Sequence, residues 1–216
     1  NLFREQGQVN ITSTQISDSA GWGIVSDDGG REPLEGNHAH PGPVRNIDEL
    51  NFDRLVPGVS IINNVLYNNL GGGIQYRGSA GAVATGSVPY GRILNNTIYG
   101  TIDEIPQGET GILVDQEASP TILNNILVNL ATGIDIASNS DSTVVSGSVY
   151  HGNTVNSTAV NETFKEIYVP SVLCPTLFVQ ATKPSRNFYL CAGDELNINP
   201  AIDSAIASLE DRFDYV

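Results

Sequence analysis

The segment Pro120 to Ile136, PTILNNILVNLATGIDI, admits very few folds. It holds three short apolar runs, Ile122-Leu123, Ile126-Leu127-Val128 and Ile134 to Ile136. Asn124-Asn125 divides the first two, and Gly133 sets off the third. A helix would place its apolar residues in one stripe at a period near 3.6, and a long strand would not carry paired asparagines in its middle. Three short strands joined by corners satisfy the pattern.

The pattern recurs along the chain. Ile61-Ile62-Asn63-Asn64-Val65-Leu66 and Ile93-Leu94-Asn95-Asn96-Thr97-Ile98 match Ile122-Leu123-Asn124-Asn125-Ile126-Leu127 position for position. Weaker copies start at Ile11 and Val144. Every copy but the last leads to a glycine and an apolar strand, at Gly23-Ile24, Gly73-Ile74, Gly111-Ile112 and Gly133-Ile134. The closest two copies, Ile122 and Val144, stand 22 residues apart. A unit that short cannot bury its own apolar side, so neighbouring units must stack. The fold expected is therefore all-β, a parallel β-helix solenoid of about five coils, with almost no helix.

The repeat, over roughly residues 9 to 150, resembles the right-handed parallel β-helix superfamily that includes pectate lyases and polygalacturonases. Near the end, Arg186-Asn-Phe-Tyr-Leu followed by Asn199-Pro-Ala-Ile-Asp203 resembles the closing segment of β-helix modules in large bacterial surface proteins. Residues 154–216 are accordingly read as degenerate coils and a C-terminal cap, with strands at Phe164 to Val169 and Leu173 to Val179 and a short helix or lead-out at Ala205 to Phe213. The whole chain is read as one domain. The absence of an initiating Met and of a signal peptide suggests a piece of a longer protein.

Two long insertions leave one corner of the coil. Residues 27–58 separate the first two copies and carry His38 and His40. Residues 77–91, rich in small side chains, leave the equivalent place in the second coil. A third, Thr101 to Thr110, interrupts the other corner. Loops of such length in a compact domain are commonly functional. Trp22, the single tryptophan, is expected to cover the open end of the first coil.

Charge excludes some partners. The chain has 10 Lys+Arg against 24 Asp+Glu, a formal net charge of −14. Nucleic acid requires a basic face, and anionic membranes repel an acidic one. No apolar run reaches transmembrane length. Ca²⁺ and cationic or glycan partners remain compatible, as do neighbouring modules of the same chain. The two cysteines, Cys174 and Cys191, lack metal-site spacing, and a disulfide on adjacent rungs is expected in a secreted protein.

Three constellations bear on function. Stacked coils place Asn63, Asn95 and Asn124 above one another, where a column of amides can satisfy the corner's backbone groups. Strand alternation turns Ile24, Ile74, Ile112 and Ile134 inward, with Tyr76, Val114 and Ile136. Val25, Gln75, Leu113 and Asp135 then face outward, and one step on stand Asp27, Arg77, Asp115 and Ala137. Asp27, Asp28, Arg77 and Asp115 are thus the candidate catalytic residues, under the two insertions. Asp27 and Asp115 are the candidate Ca²⁺ ligands, and His38, His40, Gln75 and Asp135 the candidate binding residues. His38 and His40 would need a third ligand among Asp27, Asp28, Glu32 and Glu35 to hold Zn²⁺.

The resemblance to pectin-active enzymes implies acidic residues on the exterior of one sheet that bind Ca²⁺ or cleave glycosides. This chain departs from it. Asp27-Asp28 is similar to the paired aspartates of polygalacturonases, but no Asn-Thr-Asp precedes it and no Gly-His-Gly follows. The resemblance to pectate lyases implies a Lys or Arg base; lysine occurs only at 165 and 183, which leaves Arg77. The function expected is a non-catalytic structural or adhesive module of a secreted or cell-surface protein. The alternatives are a polysaccharide lyase or glycoside hydrolase, and a glycan- or Ca²⁺-binding module.

Overall fold

The computed structural model describes residues 9–27, 55–56, 59–78, 88–89, 91–100, 109–167, 178–180, 187–190, 193–194 and 197–198. The first coil comprises β1 (Val9–Thr12), β2 (Gln15–Ser17) and β3 (Trp22–Ser26). After β4 (Leu55–Val56), the second comprises β5 (Val59–Ile62), β6 (Val65–Tyr67) and β7 (Gly72–Arg77). After β8 (Val88–Pro89), the third comprises β9 (Arg92–Leu94), β10 (Thr97–Tyr99) and β11 (Thr110–Asp115). The fourth has β12 (Thr121–Leu123), β13 (Ile126–Val128) and β14 (Thr132–Ile136). The fifth has β15 (Val144–Ser146), β16 (Val149–His151) and β17 (Val155–Ser157). No helix occurs among the described residues.

Equivalent strands of successive coils pair in parallel, giving three sheets that wrap one core. We call them the first (β1-β5-β9-β12-β15), middle (β2-β6-β10-β13-β16, extended by β18, Glu166–Ile167) and third (β3-β7-β11-β14-β17) sheets. The register is the one the repeat dictates. Ile11, Ile61, Ile93, Ile122 and Val145 stand in one column, and Ile16, Leu66, Ile98, Leu127 and Tyr150 in another. Ile24, Ile74, Ile112 and Ile134 form the third. From Ile61 onward these side chains are at most 2% exposed. Burying each such residue stabilises by about 1.5–3 kcal/mol, and each coil needs its neighbour to do so.

Glycine is required where the third sheet begins. The chain bends there so that two successive residues, the glycine and the following isoleucine, both meet the interior. A Cβ at Gly111 would lie 2.5 Å from the Gly133 carbonyl and 2.7 Å from Leu127. A Cβ at Gly73 or Gly133 would meet the same obstacles, the next coil's carbonyl and the side chain of Ile98 or Tyr150.

Two columns of left-handed residues turn the corners. Ser13, Asn63, Asn95, Asn124 and Gly147 have φ between 52° and 67° at the first, and Asp18, Asn68, Asn129 and Gly152 between 53° and 66° at the second. Asparagine is among the few non-glycine residues that adopt this conformation readily.

This corrects the reading of the asparagine pairs. Asn63, Asn95 and Asn124 do stand in register at the corner, but the buried amide ladder is formed by the second member of each pair, Asn64, Asn96 and Asn125. Each Oδ1 accepts from a backbone N–H of the preceding coil, at 2.9 Å from Thr14, 3.0 Å from Asn64 and 2.9 Å from Asn96. Each Nδ2 donates at 2.9 Å to the carbonyl of Ile11, Ile61 or Ile93. The amides also bond one another, Asn64 Nδ2 to Asn96 Oδ1 and Asn96 Nδ2 to Asn125 Oδ1, both at 3.0 Å. The left-handed first residue turns the chain, and the turn aims the next side chain inward.

Two further expectations change. Trp22 does not cover the end of the first coil: its ring lies over Gly72 of the second, where a Cβ would approach it to 2.5 Å. After Asn153 the coils run on, with β17 continuing the third sheet and β18 the middle one. The strands after it are not successive rungs. β19 (Phe178–Gln180) and β20 (Asn187–Leu190) pair antiparallel, as do β21 (Gly193–Asp194) and β22 (Asn197–Ile198). Cys174, Cys191 and the segment Ala205 to Phe213 lie outside the described residues.

Candidate functional site

The outward column at the end of the third sheet is assembled as the repeat implies. Ser26, Tyr76 and Val114 turn inward and are buried, so the residues that follow them project from the surface. Arg77 pairs in register with Asp115 of the next coil. Its Nη2 lies 3.4 Å from Asp27 Oδ2 of the preceding one, with both side chains nearly half exposed. An ion pair that open to water contributes about 0–1 kcal/mol.

Asp115 differs from Asp27 in its surroundings. It is partly buried, and one carboxylate oxygen is shielded from water without a hydrogen-bond partner. Burial pushes its carboxyl above the ordinary aspartate value. The Arg77 charge and a hydrogen bond from the Gln75 side chain oppose that rise without cancelling it. A carboxyl whose folded value is raised binds its proton more tightly in the native state. Its contribution therefore favours folding at low pH and is lost as pH rises through the interval between the ordinary and the raised value. Carbon-13 NMR of the Asp115 carboxyl is expected to show a midpoint above that of an unperturbed aspartate. Arg77→Gln should move it higher still, since the opposing charge is gone; a downward move would contradict the assignment.

The structure brings together Asp27, Arg77, Asp115 and Gln75. It does not bring in Asp135, which stands beside Leu113 in the adjacent column. The Asp135 carboxylate accepts from the Thr158 hydroxyl at 2.9 Å, which ties it to the fifth coil. Asp28, His38 and His40 lie outside the described residues. The two insertions are joined where they return to the coils, because β4 and β8 pair in parallel.

Ca²⁺ takes six to eight oxygen ligands at about 2.3–2.6 Å. Asp27 and Asp115 stand two coils apart, roughly 10 Å, with a guanidinium between them. The described residues of this column therefore do not fit that ion. Among the described residues no three His, Cys, Asp or Glu side chains converge on one point.

A second polar cluster escaped sequence reasoning. Tyr150 replaces the aliphatic residue of earlier coils at the inward position of the middle sheet, and its hydroxyl donates to the Glu162 carboxylate. Glu162 has a side chain only 4% exposed and lies 3.5 Å from Lys165 Nζ, which sits 5.1 Å from the centre of the Tyr150 ring. Burial first, and the Glu162 carboxylate second, raise the Tyr150 hydroxyl well above the ordinary tyrosine value. Glu162 falls after the legible repeat. Only the change from Leu or Ile to Tyr at position 150 hinted that the core ends in a polar closure.

Among the described residues no helix is long and apolar enough to cross a membrane. A family model for the right-handed β-helix region matches residues 2–169. Neither a curated protein nor a solved structure matches the chain. With three parallel sheets in register over the matched span, the chain belongs to the right-handed β-helix family.

Proposed function

We propose that this chain is a structural or adhesive module of a secreted or cell-surface protein, a stiff β-helix that carries loops rather than a reaction centre. The observation that supports the reading most is the Arg77–Asp27 pair. It engages Arg77 with its own neighbour, and among the described residues no free base and no metal cluster stands beside Asp115. The acidic, lysine-poor surface accords with a soluble extracellular role.

The alternative is a polysaccharide-active enzyme or glycan-binding module using the same column. Its support is Asp115, a partly buried carboxyl with a raised proton affinity, the kind of group a general acid requires.

One screen separates the two. The intact chain is incubated with acidic and neutral polysaccharides, with and without Ca²⁺, and followed for unsaturated-product absorbance and new reducing ends. The module reading expects neither. Turnover that disappears in Asp115→Asn or Arg77→Ala would establish the enzyme.

A further inference from the structure

Beyond the fifth coil the chain traces a sixth rung that the sequence repeat does not announce. Thr163 bridges in parallel to Ser146, and β18 pairs with Val149–Tyr150. Between them Phe164 is left-handed, φ 51°, one rung on from Gly147 in the corner column of Asn95 and Asn124. The Gly147 N–H donates to the Thr163 carbonyl at 3.0 Å, and the Thr163 N–H to that of Val145 at 3.3 Å. Register therefore puts Glu162 in the inward column of Ile61, Ile93, Ile122 and Val145. Lys165 falls in the ladder column of Asn64, Asn96, Asn125 and Ser148. The rung keeps the pairing and the corner, but sets an ion pair where earlier coils carry an aliphatic side chain and an amide or hydroxyl.

Both ends of the solenoid present stackable edges. Ile167 continues the inward column of Leu127 and Tyr150, yet is 57% exposed. At the other end β1, β2 and β3 are the edge strands of their sheets. Their inward Ile11 and Ile16 are part-buried, whereas Ile61 and Leu66 one coil on are fully buried. A second copy's first coil has the spacing and register to extend all three sheets. That contact is head-to-tail and does not close, so it would propagate.

We propose that the sixth rung is a stop that keeps this chain from stacking end to end on a second copy of itself. Stacking would strip water from Lys165 and press Ile11 of the next copy onto the Glu162–Lys165 pair. A buried pair recovers its desolvation cost only through further hydrogen bonds, and isoleucine offers none. Charges pointing inward at a sheet edge oppose pairing for this reason. Phe164 adds a second mark of an ending, since phenylalanine takes the left-handed turn only under strain that asparagine largely escapes.

The test rewrites the rung in the sequence of the coils beneath it. The native chain is expected to sediment as a monomer at low and at high salt, the latter screening its general negative charge. Glu162→Ile with Lys165→Asn should associate, its weight-average mass rising about twofold or more with concentration. Adding Thr14→Lys, a charge in the exposed ladder position of the first coil, should return that variant to monomer, because head-to-tail contact uses both ends. Circular dichroism checks the fold. If the double variant does not fold, Phe164→Asn with Lys165→Asn, which keeps the Tyr150–Glu162 bond, is read the same way. A folded rewritten chain that stays monomeric would overturn the proposal, as would native oligomers, or variant oligomers that Thr14→Lys leaves intact.

Discussion

Asn96→Leu is expected to lower the stability of the solenoid by about 3–5 kcal/mol, among the largest effects of any single substitution in this chain. Asn96 is fully buried. It accepts from the backbone and side-chain nitrogens of Asn64 and donates to the Ile61 carbonyl and Asn125 Oδ1. Leucine keeps the branched skeleton, though with more bulk, and supplies no partner, so donors and acceptors on three coils are left buried and unsatisfied. Each such group costs about 1–3 kcal/mol, moderated by relaxation of the corner. The neighbour provides the control. Asn95 is exposed and left-handed, so Asn95→Leu should cost only about 1 kcal/mol through backbone strain, and Asn95→Gly close to nothing. Chemical denaturation of the three variants measures the difference. Equal losses at positions 95 and 96 would remove the ladder as the reason for the paired asparagines.

Gly111→Ala is expected to cost about 3 kcal/mol, an unusual penalty for adding one methyl group. The new carbon would meet the Gly133 carbonyl at 2.5 Å, Leu127 at 2.7 Å and Leu130 at 2.8 Å. The two leucine methyls can rotate away, but the carbonyl belongs to the strand that pairs with β11 and cannot retreat without opening the sheet. Separation of the third and fourth coils follows, and amide exchange in β11 and β14 should report it as faster exchange there than in β1 and β5. Gly21, where a Cβ would meet nothing within 4 Å, is the contrasting position. Gly21→Ala should leave the denaturation midpoint unchanged.

The candidate column illustrates how far register alone carries a functional reading. Placing Arg77 between Asp27 and Asp115 required only the repeat and the twofold alternation of strands, and both hold in the structure. That Asp27 keeps company with water while Asp115 loses part of its hydration did not follow from register. Nor did the bond from Gln75, an outward residue on the neighbouring strand, whose reach depends on side-chain direction.

What the sequence by itself determined is the solenoid: which residues face the core, which strands pair, and where the chain turns. These depend on covalent geometry repeated at short range. Alternation decides in from out, paired polar residues mark a corner, and an apolar unit too small to bury itself must stack. What only the tertiary structure decided depends on where a corner aims its side chains and on what approaches from elsewhere. The turn at a left-handed Asn63, Asn95 or Asn124 sends the following asparagine inward, so the ladder belongs to Asn64, Asn96 and Asn125. Glu162 and Lys165, outside the repeat, close the core over Tyr150. The outer face of the middle sheet reads in sequence like that of the other two, yet Val128 and Val149 are buried there. No local pattern records that difference, because burial is a property of the surroundings as much as of the residue itself.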